Sequence, residues 1–294
     1  MNKTVLSGVA LTVFAYFLFS LQDASVKFLA VGLPIAQILF VRSVVILALC
    51  LAVGGKNLPV AMARSPVLVP MLSRNVLLLL AWLTFYTASR DLGLAQLTTI
   101  YYASPVIVTL LAAPMLKEYV PPLRWLAVAV GFCGVLLASD PFADGLGLSR
   151  PVALALSAAV FWALSAILLR KTAMAERTLV QMAISSGFFI LMTGAACIFL
   201  WTPVSLGLLA LLAGVGIFAG VAQFAYFESI RRAPVSLLAP FEYTSLVWAF
   251  ILGYAIWGDQ PQWHVFGGAA LIAVAGALAL LSERKKGAAA TSQA

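Results

Sequence analysis

Charge is what this 294-residue chain lacks most: 10% of its residues are charged, whereas 63% are hydrophobic. Soluble domains carry about 25% charged and 45–50% apolar residues, so an ordinary soluble enzyme is excluded. Histidine occurs once, at His264, which rules out a histidine-rich metal site. The three cysteines, Cys50, Cys133 and Cys197, lie inside apolar runs without metal-ligand spacing and read as buried apolar side chains. Acidic residues are scarce as well, 10 against 18 basic ones, for a net charge of +8. In a soluble protein that excess would point to nucleic acid. Here the basic residues punctuate apolar segments, no basic stretch is interleaved with aromatics, and no nucleic-acid partner is expected.

What is present is hydrophobic length. Mean hydropathy is +1.06, and the apolar residues run from Val5 to Leu281. A membrane-spanning helix takes roughly 20 apolar residues. Reading between charges, Gly and Pro predicts ten helices, near Val5–Phe28, Pro34–Val53, Asn75–Arg90, Gln96–Leu116, Leu123–Ser139, Pro151–Arg170, Leu179–Trp201, Leu206–Ile230, Val235–Trp257 and Gln262–Ser282. The third starts at an ambiguous place near Pro70, and 54–74 is expected to hold a surface-lying piece. The opening Met1-Asn2-Lys3 and its apolar run resemble a signal peptide, but the run reaches Gln22-Asp23 without a small-x-small site and is expected to stay. With the N-terminus inside, 14 of the 18 Lys and Arg residues, Arg74 and Arg124 among them, fall on the cytoplasmic side. The positive-inside rule therefore predicts cytoplasmic termini.

Sliding the chain on itself by about 142 residues reveals a weak repeat. Val9-Ala10-Leu11 falls on Val152-Ala153-Leu154, Lys27 on Arg170, Arg90 on Arg231, Tyr102 on Tyr243 and Glu118 on Asp259. Five helices per unit is an odd number, so the second unit enters the membrane upside down, a recurrent transporter architecture. The expected fold is all-α: ten transmembrane helices in two inverted repeats, 1–145 and 146–283, followed by an irregular cytoplasmic tail, 284–294.

The motifs on this frame resemble a known family. Leu39-Phe40-Val41-Arg42 in the second helix, Tyr101-Tyr102-Ala103-Ser104-Pro105 in the fourth, Leu116-Lys117-Glu118 before the fifth, and Gly131 and Gly134 within it are similar to the drug/metabolite transporter superfamily, in particular its EamA-type exporters. The second half departs from the pattern, with Ser185 in the place of the arginine and Asp259 in that of the glutamate. The nearest resemblance is to aromatic amino-acid exporters of the bacterial inner membrane. It implies a multi-pass inner-membrane protein whose partners are the bilayer and a small-molecule cargo, with no cofactor, and a monomer as the working expectation.

Intramembrane charges are costly and usually functional. Arg42 either contributes to transport or bridges helix ends as a structural arginine. Glu242 relays protons, binds a cargo ammonium, or caps backbone groups freed by Pro240. Asp23 and Lys27, four apart, are expected to pair. Cargo contacts are expected from Trp82 and Tyr86 with Phe85, from Thr98, Tyr102 and Thr109, from Trp162, from Gln223, Tyr226 and Phe227, and from Ser236, Tyr243, Val247 and Trp248. Ordinary packing is the competing reading for each aromatic. Aromatic walls with few fixed charges suit amphipathic, uncharged or zwitterionic solutes. Pro105, Pro114 and Pro240 are candidate bend points, and Gly216 and Gly220 allow close helix contact.

No P-loop, zincin or nucleophile-elbow motif occurs, which argues against ATP coupling and intramembrane catalysis. The resemblance implies export of aromatic and other neutral amino acids by alternating access as the expected function, with lipophilic drugs or cations as the alternative cargo. Cysteines introduced singly at Gly145 and Ser292 in a background free of native cysteine should react with impermeant reagent from opposite sides of the membrane; reaction from one side contradicts the topology.

Overall fold

The computed structural model describes residues 3–29, 33–88, 91, 100–139, 149–258 and 263–291. In chain order the helices are α1 (Lys3–Leu29), α2 (Ile35–Gly54), α3 (Leu58–Ala63), α4 (Leu68–Ala88), α5 (Ser104–Leu116), α6 (Pro122–Ser139), α7 (Arg150–Ala173), α8 (Thr178–Leu200), α9 (Leu206–Arg232), α10 (Val235–Leu238), a 3₁₀ segment (Ala239–Tyr243), α11 (Thr244–Trp257) and α12 (Trp263–Thr291). Among the described residues there is no strand, and seven helical stretches are long and apolar enough to cross a membrane, with three shorter apolar helices beside them. Large apolar side chains such as Leu191, Ile198, Phe199 and Ile217 are exposed on the outside of the bundle. A surface of that kind is matched to lipid rather than water.

Most helices sit where apolar periodicity predicts. Three departures have physical causes. Helix α4 begins at Leu68 instead of Asn75, so Pro70 lies in its first turn, where a missing N–H breaks no hydrogen bond. The predicted ninth helix is interrupted, because Pro240 has no N–H to continue the α ladder and the chain tightens into 3₁₀ geometry. Helix α12 continues to Thr291 across residues expected to be irregular, since a Gly-Ala-Ala-Ala stretch contains good helix formers and nothing to stop them. The surface-lying piece expected in 54–74 is α3.

The helix contacts have a simple symmetry. Helix α1 packs on α9 as α7 packs on α4, α5 packs on α7 as α11 packs on α1, and α9 lies on α2 as α4 lies on α8. Helices α2 and α8 pair with each other, and so do α6 and α12. Exchanging the first five long or shorter apolar segments for the second five leaves this pattern unchanged.

Small residues set the close contacts. A Cβ on Gly216 would lie 2.7 Å from Val45 Cβ, which brings α9 against α2 as the Gly216–Gly220 spacing predicts. On α6, a Cβ on Gly131 would lie 3.2 Å from Ala275 Cβ of α12 and 2.5 Å from Cδ2 of Tyr243 in the 3₁₀ segment, whose ring is fully buried and cannot yield. Gly131→Ala should therefore cost about 1–3 kcal/mol through overpacking, seen as a lowered melting temperature of the detergent-purified protein. An unchanged melting temperature contradicts the assigned packing.

Candidate transport site

Two interrupted helices meet in the middle of the bundle. In the first half, residues 100–101 are helical, Tyr102 and Ala103 form a turn, and α5 restarts at Ser104. In the second half the 3₁₀ segment ends at Tyr243. Pro105 therefore lies in the first turn of α5, where it starts a helix rather than bending one; Pro114 is the proline inside α5. Tightening at 239–243 leaves carbonyls to satisfy. Thr244 Oγ1 donates to the Phe241 carbonyl and Ser245 Oγ to that of Glu242, each at 2.6 Å. Nearby hydroxyls thus do the work that sequence reasoning held open for the Glu242 carboxyl.

That carboxyl is buried and turned to the other half of the molecule. Ser104 Oγ donates to Glu242 Oε1 at 2.9 Å. The Tyr16 hydroxyl faces both Glu242 and Tyr226. The Trp162 indole approaches the same carboxyl, although its N–H lies outside hydrogen-bond geometry. Around this point the rings form a continuous wall. Trp162 stacks on Tyr226 with centroids 6.2 Å apart and meets Tyr101 at 6.4 Å; Tyr226 meets Tyr16 at 5.9 Å; Tyr101 leads to Phe85 at 5.2 Å. The internal cavity beside Glu242, bordered by Thr12, Tyr16, Tyr226 and Ile230, measures about 10 Å³. That is room for about one water, against several hundred Å³ in sites for drug-sized ligands. Among the described residues, the space beside Glu242 is closed down in this conformation.

Tyr102 and Tyr243 touch edge to face, with centroids 6.1 Å apart. The offset that superposes these two also superposes Tyr101 on Glu242 and Ser104 on Ser245. Ser245 is in turn the partner of Tyr102 Oη at 2.7 Å. Repeat-related residues thus bond across the two halves, and the symmetry is broken where a carboxyl stands opposite a phenol.

Other candidates lie elsewhere. Trp82 packs on Phe189 at 4.7 Å, with the Arg42 guanidinium 5.5 Å from its ring centre. Arg42 interacts electrostatically with Asp23, which also accepts from Gln22 Nε2 at 3.4 Å. Trp248 packs on Phe17 of α1. Gln223 is half-buried on α9, and Thr109 donates back to the Pro105 carbonyl at 2.8 Å. Phe227 lies under the guanidinium of Arg74, and Val247 packs beside Tyr102 and Tyr243. Thr98 and the side chains of Tyr86 and Lys27 are outside the described residues, as are Arg90 and Asp259. Two arginines expected at the cytoplasmic side, Arg74 in the 54–74 connection and Arg124 at a helix start, are buried. Arg74 is inside α4, which starts earlier than expected, and Arg124 is held by Ser236 and Ser282.

Arg124 belongs to a polar knot at one end of the bundle. Glu118 pairs with Arg170 at 3.5 Å and accepts from Ser236 Oγ at 3.0 Å, while Arg170 donates to the Ile230 carbonyl. These contacts tie the end of α5 to α7, α9 and α10. Outside the knot, a cleft of about 340 Å³ runs along Met115, Leu116 and Lys117.

Sequence reasoning missed Tyr16, Tyr101 and Ser104 as site residues. The repeat offset, carried from Tyr102 to its neighbours, finds the latter two; Tyr16 becomes visible only when α1 docks on α9.

One family model, described as the EamA-like transporter family, matches the chain twice in succession, over residues 6–140 and 149–281. The chain belongs to the EamA-like transporter family. The match falls on each half separately, so the internal duplication is that family's unit repeated, and members of the family are transporters rather than enzymes. The chain is 29% identical to the pseudopaline exporter CntI of Pseudomonas aeruginosa, over 96% of this chain and 98% of that one. It is 26% identical to an S-adenosylmethionine uptake transporter of Rickettsia prowazekii, over 96% and 95% of the respective chains. A solved crystal structure superposes with a TM-score of 0.77 at 20% identity, covering 96% of this chain and 98% of its own, and shows the same fold. The protein is a multi-pass membrane transporter.

Tyr102→Phe, which loses only the bond to Ser245, should cost about 0.5–1.5 kcal/mol of stability. Tyr243→Ala, which empties a fully buried ring position, should cost about 3–5 kcal/mol, by analogy with other buried aromatics. Thermal unfolding in detergent checks both, and equal losses contradict the packing described.

Proposed function

We propose that this transporter exports aromatic and other neutral amino acids across the inner membrane by alternating access. The single observation that carries this reading is the buried Glu242 carboxyl, enclosed by Tyr16, Tyr101, Trp162 and Tyr226 and joined to the opposite half through Ser104. A carboxyl with aromatic faces around it is the complement of an ammonium group, and the rings supply an apolar wall for a side chain. Tyr102 and Tyr243, at the joint between the halves, with Trp82, Gln223 and Trp248 farther out, line the route taken by the cargo.

In this reading the chain has ten spans, two inverted repeats at 1–145 and 146–283, cytoplasmic termini and a tail from 284. The exchange symmetry of the helix contacts and the distribution of basic residues support it. The closed centre and the knot at Glu118 belong to one state of the cycle. The other state opens the knot and straightens or swings the helices at their interruptions, Tyr102–Ala103 and 239–243. Arg42, with Asp23, stands on the outer approach.

Export of lipophilic cations is the second reading, and the same Glu242 enclosure favours it, since a carboxyl walled by aromatic rings complements a cation whether or not that cation also carries a carboxylate. Counterflow into proteoliposomes with labelled phenylalanine, leucine, a nucleoside and a cationic dye separates the two. Saturable flux of amino acids is expected, and Glu242→Gln should raise their half-saturation concentration about 10- to 100-fold, the worth of a charge-assisted hydrogen bond. Flux of dye alone transfers the assignment to the second reading.

A further inference from the structure

Arg74 is a buried cation that the reading above leaves unused. It sits within α4 at 3% exposure, and among the described residues no carboxylate pairs with it. An arginine cannot shed its proton to escape burial, so a permanently charged group is held inside the bundle without a counter-ion. Such a group is costly unless something supplies the missing charge.

Its surroundings are arranged around donors. Arg74 Nη1 donates to Asn75 Oδ1 at 3.2 Å, and Ser185 Oγ donates to the same oxygen at 3.0 Å. Two donors on one oxygen settle which way the Asn75 amide points. Its Nδ2 then presents hydrogens that find no acceptor, and Arg74 Nε is buried without an acceptor as well. The guanidinium face lies 5.0 Å from the centre of the Phe227 ring, which leaves the edge of the fork for an acceptor. A buried arginine edge and a primary amide, both short of acceptors, are the complement of a carboxylate.

The position also fits the path of the cargo. The Tyr226 hydroxyl lies within electrostatic range of both Arg74 and Glu242, so one aromatic residue borders the cationic and the anionic pole. Ser185, which aligns with Arg42 in the repeat, anchors the Asn75 amide. Both arginines come from the first half: Arg42 lies over Trp82 of the same half, and Arg74 lies over Phe227 of the second.

We propose that Arg74 and Asn75, oriented by Ser185, form a carboxylate-binding site on the transport path, so that the transporter selects solutes carrying a carboxylate as well as an amine. The inference deepens the function proposed above and rests on it for the amine.

The test uses the two halves of phenylalanine as probes on the full chain purified in detergent, with binding followed by thermal shift. 3-Phenylpropionate should stabilise the wild type, and Arg74→Met should weaken that binding about tenfold or more. Asn75→Asp, which supplies a counter-ion from within, should raise the melting temperature of the unliganded protein and abolish the response to 3-phenylpropionate. It keeps the test decisive should Arg74→Met fail to fold. Phenethylamine should bind both variants within about twofold of the wild type and lose its effect in Glu242→Gln. No response of the wild type to 3-phenylpropionate, or a response that survives Asn75→Asp, overturns the carboxylate site. Loss of the phenethylamine response from the wild type instead removes the amine reading and leaves the carboxylate site standing.

Discussion

The Ser104 hydroxyl donating to Glu242 is the contact on which the centre of this molecule depends. Each partner stands at an interruption in its helix, and each interruption leaves backbone groups that lipid cannot satisfy. Only because two such breaks face one another in the protein interior can both persist. Hydroxyls of Thr244 and Ser245 take up the carbonyls freed on one side, and the serine of the opposite half takes up the carboxyl. The breaks are thereby affordable, and a chain with breaks at its middle can hinge there.

Aromatic residues complete the enclosure for a related reason. A charge at the centre of a membrane protein needs polarisable, hydrogen-bonding neighbours that do not themselves carry charge. Tyr16, Tyr101, Tyr226 and Trp162 have that character. Their rings also pack closely enough to leave space for a single water beside Glu242. In the proposed cycle, cargo binding displaces rings and helices together. The knot of Glu118, Arg170, Arg124 and Ser236 shares Ile230 with the cavity wall, which links the two places structurally.

Duplication explains why a site of this kind lies where it does. Positions related by the repeat approach one another near the axis that relates the halves, as Tyr102 and Tyr243 do. The same relation allows divergence at single positions. Glutamate replaces tyrosine at 242 relative to 101, and serine replaces arginine at 185 relative to 42. The two halves keep a common helix arrangement while the charges at equivalent positions become unequal, which suits the two-ended cargo proposed above.

Hydropathy, basic-residue spacing and the repeat offset determined the all-helical membrane class, the places of most helices, the family, and the pairing of Tyr102 with Tyr243, because each is a property of composition or of position along the chain. Which aromatics share a wall was decided by tertiary structure. Trp162 and Tyr226 joined Glu242, while Trp82 and Trp248 went to Phe189 and Phe17. Apolar patterning in an almost uniformly hydrophobic helix does not say which face meets protein and which meets lipid. The same blindness put Arg74 in a connection and Arg124 at an exposed helix start. A charge reads as a boundary in one dimension, and only the neighbours brought by folding, Asn75 and Phe227 for one, Ser236 and Ser282 for the other, make it possible for that charge to stay inside.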